Sequence, residues 1–133
     1  MNKIITFTDG GSRGNPGPAA IGGVLYDENK NKIDSFKGCI GKNTNNQAEY
    51  FALLKALELA KKHKAEIVEC FLDSELVVKQ MKREYKVKDK GLAIIFVKIW
   101  NIAIAFKKIS FHHVPREKNQ EADSLVNEAL DNI

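Results

Sequence analysis

This chain has only two cysteines in 133 residues, Cys39 and Cys70. Both lie in apolar segments without C-x-x-C spacing, so neither a zinc knuckle nor a disulfide framework is indicated, and both are expected as small core residues. The opening MNKIITFTDGG has no apolar signal region. The one long apolar run, Leu92 to Phe106, contains Lys98 and Asn101 and is too short to span a bilayer, so a cytoplasmic protein without membrane contact is expected. Repeats, low-complexity tracts and linkers are missing, so residues 1–133 are expected to form a single domain. With 44% hydrophobic and 29% charged residues, the chain can supply one core. A strong charge imbalance is also lacking: the net charge is +4 and the pI near 9.0, which permits a polyanionic partner without identifying one.

What is present is a clear alternation of element types. Ile4, Ile5 and Phe7 form a β-rich run, and AAIGGVLYDE and NKNKIDSFKGCI read as two further strands joined by a polar turn at Asn29 to Lys32. The period then changes. Ala48, Phe51, Ala52, Leu54, Leu57, Leu59 and Ala60 recur at helical spacing behind NTNNQ, which predicts a helix over about 46–62. AEIVECFLD predicts a fourth strand, SELVVKQMKRE a short helix, and residues 91–106 a long one. KKISFHHV predicts a fifth strand, and a last helix starts near Asn119.

The order βββαβααβα restricts the topology, because crossovers between parallel strands are right-handed and hairpin strands are neighbours. The predicted α/β fold is a five-stranded mixed sheet of order 3-2-1-4-5, with strand 2 antiparallel and helices on both faces. Strands 1, 3, 4 and 5 then end at one edge, the side on which open α/β sheets bind ligands.

Four acidic residues fall on that edge: Asp9 ending strand 1, Glu49 in the first turn of the first helix, Asp73 ending strand 4, and Asp123 early in the last helix. Each has a local role available. Asp9 suits an Asx-turn, Asn46 with Glu49 a capping box, Asp73 before Ser74 an N-cap, and Asp123 the helix dipole. Gathered around one point, however, four carboxylates repel each other unless cations occupy the site. Hard oxygens suit Mg²⁺ or Mn²⁺, and clustered carboxylates can hold two such ions for in-line attack on a phosphodiester.

The blocks FTDGGSRGNPGPAAIGG, TNNQAEY, FLDSELVV and HVPREKNQEADSL resemble, in order and spacing, the four signature blocks of type 1 ribonuclease H, over nearly the whole chain. The resemblance implies an endonuclease that cuts the RNA strand of RNA–DNA hybrids, leaving 5′-phosphate and 3′-hydroxyl ends. It assigns Asp9 as the bridge between two metal ions and Asp123 to the ion that activates water. Glu49 and Asp73 complete the leaving-group site. It further implies minor-groove contacts at Asn15, Asn45 and Asn46, and a grip on a DNA phosphate by Lys42, Thr44 and Lys79. Setting the four ligands aside from the 17 acids leaves 13 against 21 Lys and Arg, a surplus suited to a nucleic-acid backbone.

The chain departs from many bacterial members in two places. Only KREYKVKDKG stands where they carry a basic protrusion, so Lys82, Arg83, Lys86, Lys88 and Lys90 would supply a smaller patch. The loop histidine before the last helix is missing, and Arg116 is its candidate replacement. Arginine stays protonated, so it can steady a phosphate but hardly shuttle a proton. His113 is the alternative, while His63 and His112 read as structural or surface residues. The apolar helix 92–106 raises the expectation of a monomer or weak homodimer associating through Ile95, Ile99, Ile102 or neighbouring residues. Two other functions compete. A non-catalytic hybrid-binding module would keep the fold without the full carboxylate set. A P-loop would need Ser or Thr where Asn43 follows Lys42.

Overall fold

Alternation builds the first strand, β1 (Lys3–Ser12): Ile4, Thr6 and Thr8 are buried, while Lys3, Ile5 and Phe7 are half-covered on the other face. The computed structural model describes residues 2–133. After β1 come β2 (Gly17–Asp27), β3 (Lys32–Asn43), α1 (Asn45–Lys62), β4 (Ile67–Leu72) and α2 (Glu75–Met81). The chain continues through α3 (Lys90–Ala103), β5 (Lys108–His113), a 3₁₀ turn (Arg116–Lys118) and α4 (Gln120–Asp131). Asp27 closes the β2–β3 turn, its Oδ1 accepting from the amides of Asn29 and Asn31 at 2.9 Å each.

The sheet order is β3-β2-β1-β4-β5, with β2 antiparallel to its neighbours and the β1–β4 and β4–β5 pairs parallel, as expected. One boundary differs. Asp9 does not end its strand: pairing with β4 stops at Thr8 opposite Leu72, but pairing with β2 continues to Ser12 opposite Ala19. Hairpin hydrogen bonds to Ala20 and Ile21 hold Gly10 and Gly11 extended despite the low strand propensity of glycine. Asp9 is therefore the first residue beyond the parallel pairing, where the sheet opens.

The main core lies between one sheet face and α1, α2 and α3, with Ile4, Leu25, Val68 and Leu72 packed against Leu53, Leu57, Val77 and Ile99. On the opposite face α4 packs Val126, Ala129 and Leu130 against Ala20. Two expectations are corrected here. Ile95 and Ile99 are buried against the core, at 5% and 0% exposure, so they offer no surface for self-association. The outward face of α3 carries Ile94 and Val97 instead, with Ile104 exposed at its C-cap. A helix apolar on nearly every side gives no periodic signal of which side packs. Cys70 is buried, and burial pushes its thiol up to about 12, but Cys39 is exposed on β3, an edge strand.

Residues 82–89 form neither helix nor strand, so the basic connection is short. Gln80 anchors it: its Oε1 accepts from the Tyr50 hydroxyl and its Nε2 donates to the Lys86 carbonyl at 3.3 Å. Among the described residues, no helix is long and apolar enough to cross a membrane.

The N-terminus of α1 is held by Thr44 and Gln47, not by Asn46 and Glu49. The Gln47 amide donates to Thr44 Oγ1 at 3.1 Å, and Gln47 Oε1 accepts from the Thr44 amide at 2.8 Å. Glu49 is thereby left free of a capping role. Thr44→Ala removes one half of this reciprocal cap and is expected to lower stability by about 1 kcal/mol. Urea denaturation with an unchanged slope is the check.

Candidate active site

Two glycines set the geometry of the site. A Cβ on Gly10 would lie 2.2 Å from the Ala48 carbonyl carbon and 2.5 Å from the Glu49 amide nitrogen, so only glycine lets the backbone of α1 rest on β1 there. Gly22, opposite Asp9 on β2, does the same for α4: a Cβ would lie 2.8 Å from the Ala122 carbonyl oxygen. The two helices seated on these bare positions carry Glu49 and Asp123. Asp73 arrives from the end of β4, and Ser74, whose Oγ accepts from the Val77 amide at 3.3 Å, caps α2 in its place.

Oxygen atoms of Asp9, Glu49 and Asp73 lie within 4.8 Å of one another. Asp123 stands outside that set, yet it lines the same cleft and its charge acts on Asp9. Asp9 and Glu49 are each 7% exposed. Burial, with repulsion from Asp73 and Asp123, pushes the Asp9 carboxyl up to about 7, against the opposing contact with Glu49. Burial and then Asp9 hold Glu49 well above the usual carboxylate range, although the Gly10 amide donates to its Oε1 at 3.3 Å. Glu49 Oε2 is buried without a hydrogen-bond partner. A group of crowded, dry carboxylate oxygens with an orphaned acceptor fits a hard divalent cation.

The cleft has a volume of about 440 Å³ and is lined by all four acids together with Arg116, Asn45 and Asn46. Asn15 is linked to it through the backbone, its Oδ1 accepting from the Asn45 amide at 3.0 Å, while Asn45 Oδ1 accepts from the Ser12 amide at 2.8 Å. These bonds lace the β1–β2 loop to the start of α1. Lys42 and Lys79 are not brought to the cleft wall. Lys42 is exposed at the end of β3, and Lys79 pairs with Glu75 at 3.3 Å and lies 5.0 Å over the Tyr85 ring. The three histidines stand elsewhere: His63 meets Asp34 at 2.8 Å, His112 stacks on Phe71, and His113 is exposed.

Sequence reasoning missed Asn119. It reads there only as the start of a helix, yet its amide nitrogen donates to Asp73 Oδ2 at 3.0 Å and to the Thr8 carbonyl at 2.8 Å. Asparagine is so common at helix N-caps that its presence at one gives no signal of a longer-range role.

Comparison with known proteins agrees with this arrangement. A family model described as reverse transcriptase-like matches residues 7–129. The bifunctional protein Rv2228c of Mycobacterium tuberculosis is 41% identical over 97% of this chain, which spans only 36% of that relative's length. Ribonuclease HI of Halobacterium salinarum is 42% identical over 97% of this chain and 65% of its own. The crystal structure of the Halobacterium protein superposes with a TM-score of 0.95, covering 98% of this chain and 99% of that one. The structure of LC11-RNase H1 in complex with RNA/DNA hybrid superposes at 0.92, with 48% identity and 97% of each chain covered. Likeness that runs from the first strand to the last helix, through every block holding a site carboxylate, leaves one conclusion: this chain belongs to the type 1 ribonuclease H family.

Proposed function

We propose that this chain is an endonuclease that hydrolyses the RNA strand of RNA–DNA hybrids, using Mg²⁺ or Mn²⁺ in a two-metal-ion mechanism. The observation that carries this reading is the convergence of buried Asp9 and Glu49 with half-buried Asp73 on one point, with a Glu49 oxygen left unpartnered. The hybrid bound to a relative of the same fold supports the substrate class.

Asp9, Glu49, Asp73 and Asp123 would hold the cations. Bound there, divalent ions supply Lewis-acid stabilisation of the charge that builds on the phosphate and acidify the attacking water. The chain's own groups do the rest. Asn15, Asn45 and Asn46 sit where the hairpin loop meets α1, and their amides offer donors and acceptors to ribose 2′-hydroxyls, the groups that distinguish RNA from DNA. Arg116, exposed at the cleft wall, is a permanent cation for a backbone phosphate. Thr44 keeps its hydroxyl proton for a phosphate while its oxygen caps α1. Lys79 would exchange its Glu75 partner for a phosphate of the DNA strand, and Lys42, exposed at the end of β3, would serve the same strand.

End-group analysis tests the mechanism. Attack by water leaves 3′-hydroxyl ends that a polymerase extends and 5′-phosphate ends that a ligase joins. Products ending in 2′,3′-cyclic phosphate would overturn it, since they require attack by the neighbouring 2′-hydroxyl. The logarithm of hybrid affinity should also fall linearly with log salt, with a slope of roughly −1 for each phosphate contact.

A further inference from the structure

From this same site we infer that Asn119 is the positioning residue that fixes Asp73 for cation binding and ties three carboxylate-bearing elements together; the inference rests on the proposed metal-dependent reading. Asn119 occupies the N-cap of α4, yet its side chain makes no capping hydrogen bond. The amide nitrogen instead bridges two oxygens from different strands: the Thr8 carbonyl, one residue before Asp9, and Asp73 Oδ2 beyond β4. Its own backbone carbonyl accepts from the Asp123 amide at 3.1 Å. One residue thus touches the supports of Asp9, Asp73 and Asp123.

The chemistry of the group suits that task. Both oxygens facing it are acceptors, so only the Nδ2 end can point at them, and the side chain has one permitted orientation. Asn119 is 2% exposed and its Oδ1 has no partner, so the local cap and a partner for that oxygen are both forgone to keep the bridge. Donation to Oδ2 leaves Asp73 Oδ1 as the free oxygen for a cation. A neutral amide gives this support without adding a positive charge, which a lysine or arginine here would bring into competition with the bound ion.

Asn119→Asp keeps the shape and turns the donor into an oxygen facing two oxygens. Calorimetric titration of the folded variant with Mn²⁺ is expected to show affinity weakened by about 10–100-fold. Asn119→Ser, too short to reach both partners, gives the same result where the Asp variant does not fold. In the unaltered protein, the Asn119 side-chain amide signals should shift on Mg²⁺ titration with the midpoint that a calorimetric titration with Mg²⁺ gives. Affinity within twofold of the parent in a folded variant, or amide signals unmoved at saturation, would overturn the inference. A parent that binds no Mn²⁺ would instead remove the metal-dependent reading beneath it, so the two failures are distinct.

Discussion

Asp9→Asn is expected to lower metal-dependent cleavage of a hybrid by about 10³-fold or more, while raising the stability of the metal-free protein. Asp9 is central to the group, in contact with Glu49 and under repulsion from Asp73 and Asp123. Removing its charge removes an anionic ligand from the point where cations must sit, and 10³-fold corresponds to about 4 kcal/mol of transition-state stabilisation. Stability moves the other way. The Asp9 carboxyl rises from 3.8 to about 7 on folding, so below pH 4 it is protonated in both states and folding loses nothing. Between pH 4 and 7 the folded protein keeps a proton that the unfolded chain has released, and stability drains away as pH rises. Asparagine does not titrate. The melting temperature of Asp9→Asn in chelator should therefore exceed the parent's by a margin that grows from pH 4 to about 7 and then levels. Parallel pH profiles for the two proteins would contradict this account of the site.

Gly10→Ala carries the second large effect, although residue 10 has no side chain to bind anything. The added methyl would lie 2.2 Å from the Ala48 carbonyl carbon and 2.3 Å from its oxygen, both backbone atoms of α1 that cannot turn aside. The start of α1 must lift from β1, and Glu49 moves with it. A misplacement on the order of 1 Å is enough to cost about 10²-fold in rate, and overpacking of this kind destabilises by about 1–3 kcal/mol. Gly38→Ala is the control, because a Cβ there meets nothing within 4 Å. Mn²⁺ affinity, cleavage rate and urea midpoint should all fall for Gly10→Ala and stay near the parent's for Gly38→Ala.

The sheet order was legible because hairpin adjacency and right-handed crossovers leave few ways to arrange five strands in this chain order. The carboxylate edge followed from it, since Asp9 is the first residue past the parallel pairing, Asp73 sits just past the end of β4, and Glu49 and Asp123 lie early in helices. The finer placements were not legible, for local reasons. Gly10-Gly11-Ser12 reads as a turn, and only pairing with Ala19, Ala20 and Ile21 makes it strand. Thr44 with Gln47 and Asn46 with Glu49 satisfy the same capping pattern two residues apart, and geometry alone selects the first. The roles of Gly10 and Gly22 as seats for α1 and α4 depend on contacts between segments 38 to 104 residues apart, and no local pattern encodes them. Asn119 is the same case: its partners, Thr8 and Asp73, are 111 and 46 residues away.

The most direct measurement uses a hybrid with one dye on the RNA strand and another on the DNA strand, incubated with the protein and Mg²⁺ and resolved on a denaturing gel. The RNA strand should be cut internally, the DNA strand should stay whole, and a chelator should stop the reaction at once. An intact RNA strand at saturating protein and metal, or cleavage of both strands, would contradict the proposed function.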